Sequence, residues 1–188
     1  MKEKSFSIWK IPAIILMAGF LFSCVNDLDT IQRVSDNPNA PSEITRDLEV
    51  FYNDSGYARV KIFAKLAETF RIPKHITKLK DGVKVEFYSD EGKIVSQLTS
   101  LYGEINFENG QILVKDSVIL RNFDSKQQLE TEELHWNQRD STIYTERNVI
   151  IRKDGKGIIG RGKGLKTNQT FDNYAIKEPV GKLNFTGN

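Results

Sequence analysis

The stretch ARVKIFAKL, residues 58–66, carries an apolar side chain at every second position. Arg59, Lys61 and Lys65 lie between these apolar positions, together with Phe63. In an extended strand, successive side chains point to opposite faces of the sheet, so a period of two gives one apolar face and one mostly polar face. The stretch therefore predicts a β-strand that has one side against a core.

The same alternation returns along the rest of the chain. GVKVEFY at 82–88 and EINFE at 104–108 repeat it, and Val149 and Ile151 continue it. No segment after residue 45 has a helical period, so the sequence predicts an all-β sheet of antiparallel hairpins. Turn signals, rich in residues that tolerate positive φ, are expected between the strands at Asp54-Ser55-Gly56, Asp81-Gly82, Glu91-Gly92, Asn109-Gly110 and Asp154-Gly155.

A weak internal repeat supports this arrangement. Val118, Val149 and Val180 are spaced 31 residues apart, and VILR at 118–121 is answered by VIIR at 149–152. A unit of about thirty residues holds two or three strands, which indicates hairpins laid side by side. The alternative is a chance spacing of valines in a β-rich chain.

Glycines are concentrated in GKGIIGRGKG, residues 155–164. A phosphate-binding loop requires such a run to open a helix, whereas this run leads into further strand-like sequence. The alternate glycines at 160, 162 and 164 instead predict a strand with one bare face, where a backbone or ligand approaches closely or the sheet bends.

The N-terminus has the pattern of a secretory signal peptide, residues 1–23. Lys2, Lys4 and Lys10 accompany an apolar run at 11–22. Twelve residues of helix rise about 18 Å, which is too short for the ~30 Å hydrocarbon core of a bilayer.

Leu21-Phe22-Ser23-Cys24 resembles the lipobox of bacterial lipoproteins. That resemblance implies cleavage before Cys24 and lipidation of its thiol, whereas the alternative is an ordinary signal peptide with a chance cysteine. Residues 24–45, with Pro38 and Pro41, then form an acylated N-terminus and flexible tether, and 46–188 form the β-domain.

Composition excludes several classes of function. The chain has 188 residues, and removal of residues 1–23 leaves 24 basic and 24 acidic residues, so no basic field is available for nucleic acid. One cysteine and two histidines, His75 and His135, cannot complete a zinc site or a catalytic triad. Glu130, Glu132 and Glu133 are typical of a solvated strand. We expect a binding protein rather than an enzyme, with no cofactor and no metal.

Several segments together resemble the LptC family of lipopolysaccharide-export proteins, in a lipoprotein form. The resemblance covers roughly residues 45–185. Its most specific parts are QLETEELHW at 128–136 and GKGL at 162–165, and the segments at 51–70, 82–105 and 118–137 also contribute. Familiar members keep an uncleaved transmembrane helix, whereas the apolar run here ends at Cys24, so the sequence leaves the mode of anchoring open.

The resemblance implies a single open, twisted β-jellyroll of antiparallel strands, V-shaped in section. Such a protein receives lipopolysaccharide, through its lipid A acyl chains, from an inner-membrane ABC transporter. It passes the lipid to a periplasmic β-jellyroll bridge protein toward the outer membrane. The implied location is the periplasm, anchored to the inner membrane by the N-terminal lipid, and the sequence after Cys24 does not distinguish this from outer-membrane sorting.

Acyl chains require a continuous apolar trough, and the inward positions of the strands are its candidates. Leu129 has odd parity whereas Leu134 and Trp136 have even parity, so we expect a bulge between them. The predicted lipid-binding residues are Val60, Ile62, Ala64, Val83, Val85, Phe87, Leu98, Ile105, Val118, Leu120, Leu129, Trp136, Val149 and Ile151.

Two other functions fit the same pattern. One is a structural envelope lipoprotein with a closed, packed β core, in which each of these residues serves packing alone. The other is a lipocalin-like closed barrel that carries a small hydrophobic ligand.

Overall fold

The protein folds as one antiparallel β-sheet. A computed structural model describes residues 40–54 and 57–181, and within these ranges it contains strands and turns but no helix. None of the described residues therefore forms a helix with the length and apolarity to cross a membrane. The strands are β1 Glu43–Asp54, β2 Tyr57–Phe70, β3 Ile76–Tyr88, β4 Ile94–Ser100, β5 Tyr102–Asn106, β6 Gln111–Asn122, β7 Gln127–Asn137, β8 Thr142–Lys153, β9 Gly157–Asn168 and β10 Tyr174–Pro179.

Neighbouring strands in sequence are neighbours in the sheet, in the order β1-β2-β3-β4-β6-β7-β8-β9-β10. Strand β5 also pairs with β3 and β6. Strands β4 and β5 are two halves of one interrupted strand, because Leu101 alone separates them and both lie between β3 and β6. The all-β, antiparallel jellyroll predicted from the sequence is confirmed.

Every long strand is interrupted near its middle. Lys65 of β2 lies opposite two residues of β3, Asp81 and Gly82, both with positive φ. The same arrangement of one residue against two recurs between β7 and β6 and between β9 and β8. We call this line of irregular positions the seam: Asp47, Lys65, Asp81, Gly82, Leu101, Asp116, Ser117, Glu132, Glu146, Arg147, Gly164 and Lys177.

The seam divides the sheet into two layers. A bulge bends its strand and increases the local twist, so a row of bulges folds the whole sheet along one line. Layer 1 contains β4 and the strand segments level with it, 48–54, 57–64, 83–88, 118–122, 127–131, 148–153 and 157–163. Layer 2 contains β5 and the segments level with that, 43–46, 66–70, 76–80, 111–115, 133–137, 142–145, 165–168 and 174–176.

The core lies between the two layers. Ile62, Leu120 and Leu129 of layer 1 and Leu79 and Leu165 of layer 2 are fully buried in one continuous apolar cluster. Complete burial of one such side chain contributes about 1.5–3 kcal/mol. The apolar face that alternation gives to each strand is therefore turned toward the opposite layer.

The bulge expected in β7 is present. Its buried positions change from odd at Leu129 to even at Leu134 and Trp136, and the register with β8 shifts between Thr131 and His135. One extra seam residue on a strand moves the following side chains to the other face, which explains the change of parity.

Three local expectations were wrong. Asp81-Gly82 is not a hairpin turn but a bulge inside β3, because its positive φ values serve the bend. Val180 does not continue the repeat, since it follows β10 and is exposed. The tether was expected to end at residue 45, but β1 already begins at Glu43.

Candidate functional site

All fourteen residues predicted to line the trough lie in the core, and none is more than 6% exposed. Twelve belong to layer 1, and only Ile105 and Trp136 belong to layer 2. The side chains of the two layers are in contact, so the trough is closed to solvent along these positions in this structure.

The sequence prediction missed most of layer 2. Alternation signals were available there, in QILV at 111–114 before the seam and around Leu134 after it, and only the signal around Leu134 has a shifted parity. The missed interior residues are Ala67, Leu79, Ile112, Val114, Leu134, Ile143, Leu165 and Phe171.

The free ends of the two layers lie opposite the seam and form the mouth of the interior. The mouth of layer 1 is formed by turns that include 89–93, 123–126 and 154–156. The mouth of layer 2 is formed by 71–75, 107–110, 138–141 and 169–173. Large apolar side chains are exposed on both sides, at Ile94 and Phe123 in layer 1 and at Ile72 and Phe107 in layer 2.

One loop crosses the mouth, and we call residues 169–173 the latch. Ser96 Oγ of β4 donates a hydrogen bond to the Gln169 carbonyl at 2.6 Å, and Asn122 Nδ2 of β6 donates to the Thr170 carbonyl at 2.7 Å. Phe171 has a positive φ of 53° and is completely buried. The latch therefore joins the end of layer 2 to layer 1.

A cavity of about 300 Å³ lies in the mouth beside the latch. Layer 1 contributes Tyr52, Arg59 and Val60 to its lining, and layer 2 contributes Trp136 and, just beyond β7, Gln138. Two of the predicted trough residues, Val60 and Trp136, therefore line the mouth cavity.

A larger cavity, of about 500 Å³, lies at the seam near β1. Leu48, Ala64 and Val83 are apolar members of its lining, and Lys65 and Asp81 are charged members. None of the predicted trough residues except Ala64 and Val83 reaches it.

The sheet has two open edges within the described ranges, because β1 pairs only with β2 and β10 only with β9. A closed barrel requires the first and last strands to pair. The lipocalin-like closed barrel is therefore wrong for this sheet. Ile44 and Phe51 on β1 are exposed at 60% and 51%, so this edge carries apolar side chains as well as unpaired backbone groups.

The bare glycine face predicted in β9 lies against the edge strand β10. A side chain at Gly162 would collide with the Glu178 carbonyl and with Ile176, and Gly164 adopts a positive φ of 71° at the seam. The glycines therefore allow close approach of a neighbouring backbone.

Two of the three glutamates of β7, Glu130 and Glu133, take part in ion pairs on the outer face. Glu130 bonds Arg152 at 2.7 Å, and Glu133 lies within 4 Å of His135, Lys115 and Arg147. Burial raises the pKa of Glu133, but the hydrogen bond and charge of His135 and the charges of Lys115 and Arg147 outweigh it and hold the pKa below its usual range. These carboxylates therefore pair with side chains on the outer surface of the sheet and do not face the interior.

The remaining candidates lie apart from the interior. His75 is exposed and packs against the ring of Phe107, with centroids 4.7 Å apart. Cys24 lies outside the described residues, as do the signal peptide and most of the tether.

Two comparisons with known proteins bear on these observations. The search of curated proteins finds no match. The sequence model of the family described as "Lipopolysaccharide-assembly, LptC-related" matches residues 12–180, which is most of the chain. Proteins of this family are periplasmic, inner-membrane-associated components of lipopolysaccharide transport and are not known as enzymes. With this match and a β-jellyroll of the expected kind, the chain belongs to the LptC family.

Proposed function

We propose that this protein receives lipopolysaccharide from an inner-membrane ABC transporter and passes it to a periplasmic β-jellyroll bridge that leads to the outer membrane. The observation that carries the proposal is one open sheet, folded along a seam around a continuous apolar interior. Such an interior suits acyl chains, because apolar burial contributes about 25 cal/mol per Å² and does not depend on exact chain structure.

The two open edges supply the means of handing lipid on. A β-strand from another jellyroll adds to an unpaired edge through main-chain hydrogen bonds. Strands β1 and β10 each offer such an edge, at opposite ends of the strand order. Addition at both edges joins the interiors of successive jellyrolls end to end. In this proposal the transporter supplies the energy for lipid transfer, and the interior of this chain supplies the path along which the lipid moves.

Cys24 anchors the protein in the proposal. Lipidation of its thiol, after removal of residues 1–23, places acyl chains at the new N-terminus, and two or more chains hold a protein stably at a bilayer. The tether then lets the β-domain reach away from the membrane, since about twenty extended residues span up to ~70 Å.

Photo-crosslinking tests the lipid path. A photoreactive residue at Ile62, which points inward and is fully buried, is compared with one at Phe63, which lies on the outer face of the same strand. We expect capture of lipopolysaccharide from Ile62, and much less from Phe63, in cells whose transporter is running. Absence of capture from Ile62, or equal capture from the two positions, contradicts the proposal.

A second function is favoured by one specific observation, the closed packing of the fourteen predicted trough residues. In that function the protein is a structural envelope lipoprotein with a permanently packed core. Rapid depletion distinguishes the two, because only the export function predicts accumulation of lipopolysaccharide at the inner membrane.

A further inference from the structure

Among the residues that the structure describes, three buried donor groups around the mouth cavity have no hydrogen-bond partner. They are the Tyr52 hydroxyl, the Trp136 indole Nε1–H and the side-chain amide Nε2 of Gln138. All three residues line the mouth cavity. Trp136 is only 6% exposed, so solvent does not compensate its N–H. A buried donor without an acceptor is unfavourable, and its presence in a native structure requires an explanation.

The three groups come from both layers. Tyr52 belongs to β1 in layer 1. Trp136 lies near the C-terminal end of β7 in layer 2, and Gln138 follows that strand. A group that accepts hydrogen bonds from all three must therefore lie between the layers, at the outer limit of the apolar interior. Val60 lies beside them in the cavity lining, and both Val60 and Ile62, two residues further along the same strand, belong to the apolar core.

The charge of the lining restricts the chemistry of such a group. The cation of the lining, Arg59, forms an ion pair with Asp90. The unpartnered donors are all neutral, as a phenol, an indole and an amide. Neutral donors beside an apolar wall suit a neutral acceptor attached to a hydrocarbon chain, and the carbonyl oxygens of acyl esters and amides have both properties.

We propose that the mouth cavity is the binding site for the acyl linkages of an acylated lipid, with Tyr52, Trp136 and Gln138 as donors to its ester or amide carbonyl oxygens. This inference rests on the proposed function and assigns residues to the place where the lipid's polar part stops and its chains enter the interior. The acyl chains pass Val60 and continue between the layers. The apolar interior accepts the chains, and the donors at the mouth fix how deeply they enter.

Conservative variants test the site. Tyr52→Phe and Trp136→Phe remove the donor atom and keep a ring, and Tyr144→Phe is the matched control on the outer face of β8, where the ring stacks on His135 at 5.0 Å. Each variant carries the photoreactive residue at Ile62, which does not line the cavity. Capture of lipopolysaccharide in cells and the thermal midpoint of the purified, lipid-free full chain are both measured.

The expected result has two parts. Lipid capture falls several-fold in Tyr52→Phe and Trp136→Phe and is unchanged in Tyr144→Phe. The thermal midpoint of the lipid-free protein does not fall in Tyr52→Phe, because that change removes a buried donor that has no partner. A residue with a purely structural role does not separate these two measurements in this way.

The outcomes separate this inference from the proposed function. If both variants capture lipid as well as the control does, the mouth site is wrong while the export function stands. If capture falls only in proportion to a lowered thermal midpoint, the residues are structural and the site is also wrong. If the unchanged protein gives no capture from Ile62, the proposed function itself fails.

Discussion

The ring of Phe87, on β3 in layer 1, meets the indole of Trp136, on β7 in layer 2, edge to face. Their centroids are 5.2 Å apart and their planes are inclined at 76°. Strands β3 and β7 are not neighbours in the sheet, because β4 and β6 lie between them. The contact therefore joins the two layers across the core rather than along the sheet, close to the mouth cavity.

Removal of the Phe87 ring is expected to destabilise the fold strongly. Phe87→Ala leaves a cavity between the layers, and such substitutions lower the free energy of unfolding by about 3–5 kcal/mol. Phe63→Ala, on the outer face, is the control and should lower it by less, since Phe63 is only half-buried. Urea denaturation of both variants measures the difference. Equal losses would show that the layers do not depend on this contact.

Gly162 should not tolerate a side chain, whereas Gly160 should. A Cβ at Gly162 would strike the Glu178 carbonyl, but at Gly160 its nearest contact is Ile176 at 3.5 Å, an ordinary distance. We expect Gly162→Ala to loosen β10 and speed amide exchange at Glu178, while Gly160→Ala leaves exchange unchanged. Hydrogen exchange with mass spectrometry measures amide exchange of β10 in both variants. Protection of β10 in both variants would contradict the close packing.

The latch should depend on Asn122. Its Nδ2 holds the Thr170 carbonyl and its Oδ1 accepts from the Ser125 amide at 2.6 Å, so Asn122→Ala leaves buried groups unpaired. We expect a loss of about 1–3 kcal/mol in unfolding free energy and faster exchange of the Phe171 amide. Asn137→Ala removes a similar turn bond to the Arg139 amide away from the latch and is the control. Unchanged exchange at Phe171 in Asn122→Ala would mean that the latch is held by other contacts.

The phenol of Tyr102 should lose its proton at a higher pH than an ordinary tyrosine does. Burial, with the charge and hydrogen bond of Glu104, raises its pKa to about 12. Because the folded pKa exceeds the ordinary value near 10, the unfolded chain loses this proton first, and stability falls as the pH rises from about 10 to about 12. Glu104→Gln removes the charge and should move the titration of Tyr102 toward 10. Ultraviolet absorbance of phenolate, with Tyr102→Phe to assign the signal, measures it. An identical titration curve in Glu104→Gln would refute the assignment.

Cys24 should determine membrane attachment. Cys24→Ser removes the thiol to which we propose that the lipid is attached, so the variant should leave the detergent-extracted membrane fraction and should lack the mass of the acyl chains. Intact-mass spectrometry of both proteins is the measurement. An unmodified Cys24, or a chain that still begins at Met1, would exclude the lipid anchor.

The sequence was sufficient to predict the strands and the interior of layer 1. The period of two in 58–66 and 82–88 reports directly which side chains face inward, and all twelve residues chosen from layer 1 are buried. This succeeded because alternation is a local property of an extended chain.

The second layer and the mouth were not predictable in the same way. Asp81 and Gly82 read as a hairpin turn because a turn and a bulge both require positive φ, and only pairing with β2 distinguishes them. Phe171 sits in a short loop with no alternation, and its burial depends on bonds from Ser96 and Asn122, far away in sequence. Contacts of this kind arise from the folded sheet rather than from any local pattern.

The seam has a mechanical consequence. Each long strand contributes to both layers and bends at the same line, so the seam is a hinge shared by the whole sheet. A larger angle between the two layers at any one strand should tilt its hydrogen-bonded neighbours as well, because the backbone ladders on both sides of the seam are continuous. If the layers separate to admit lipid, as the proposed function requires, a change in the angle between them at one edge should therefore extend to the other edge.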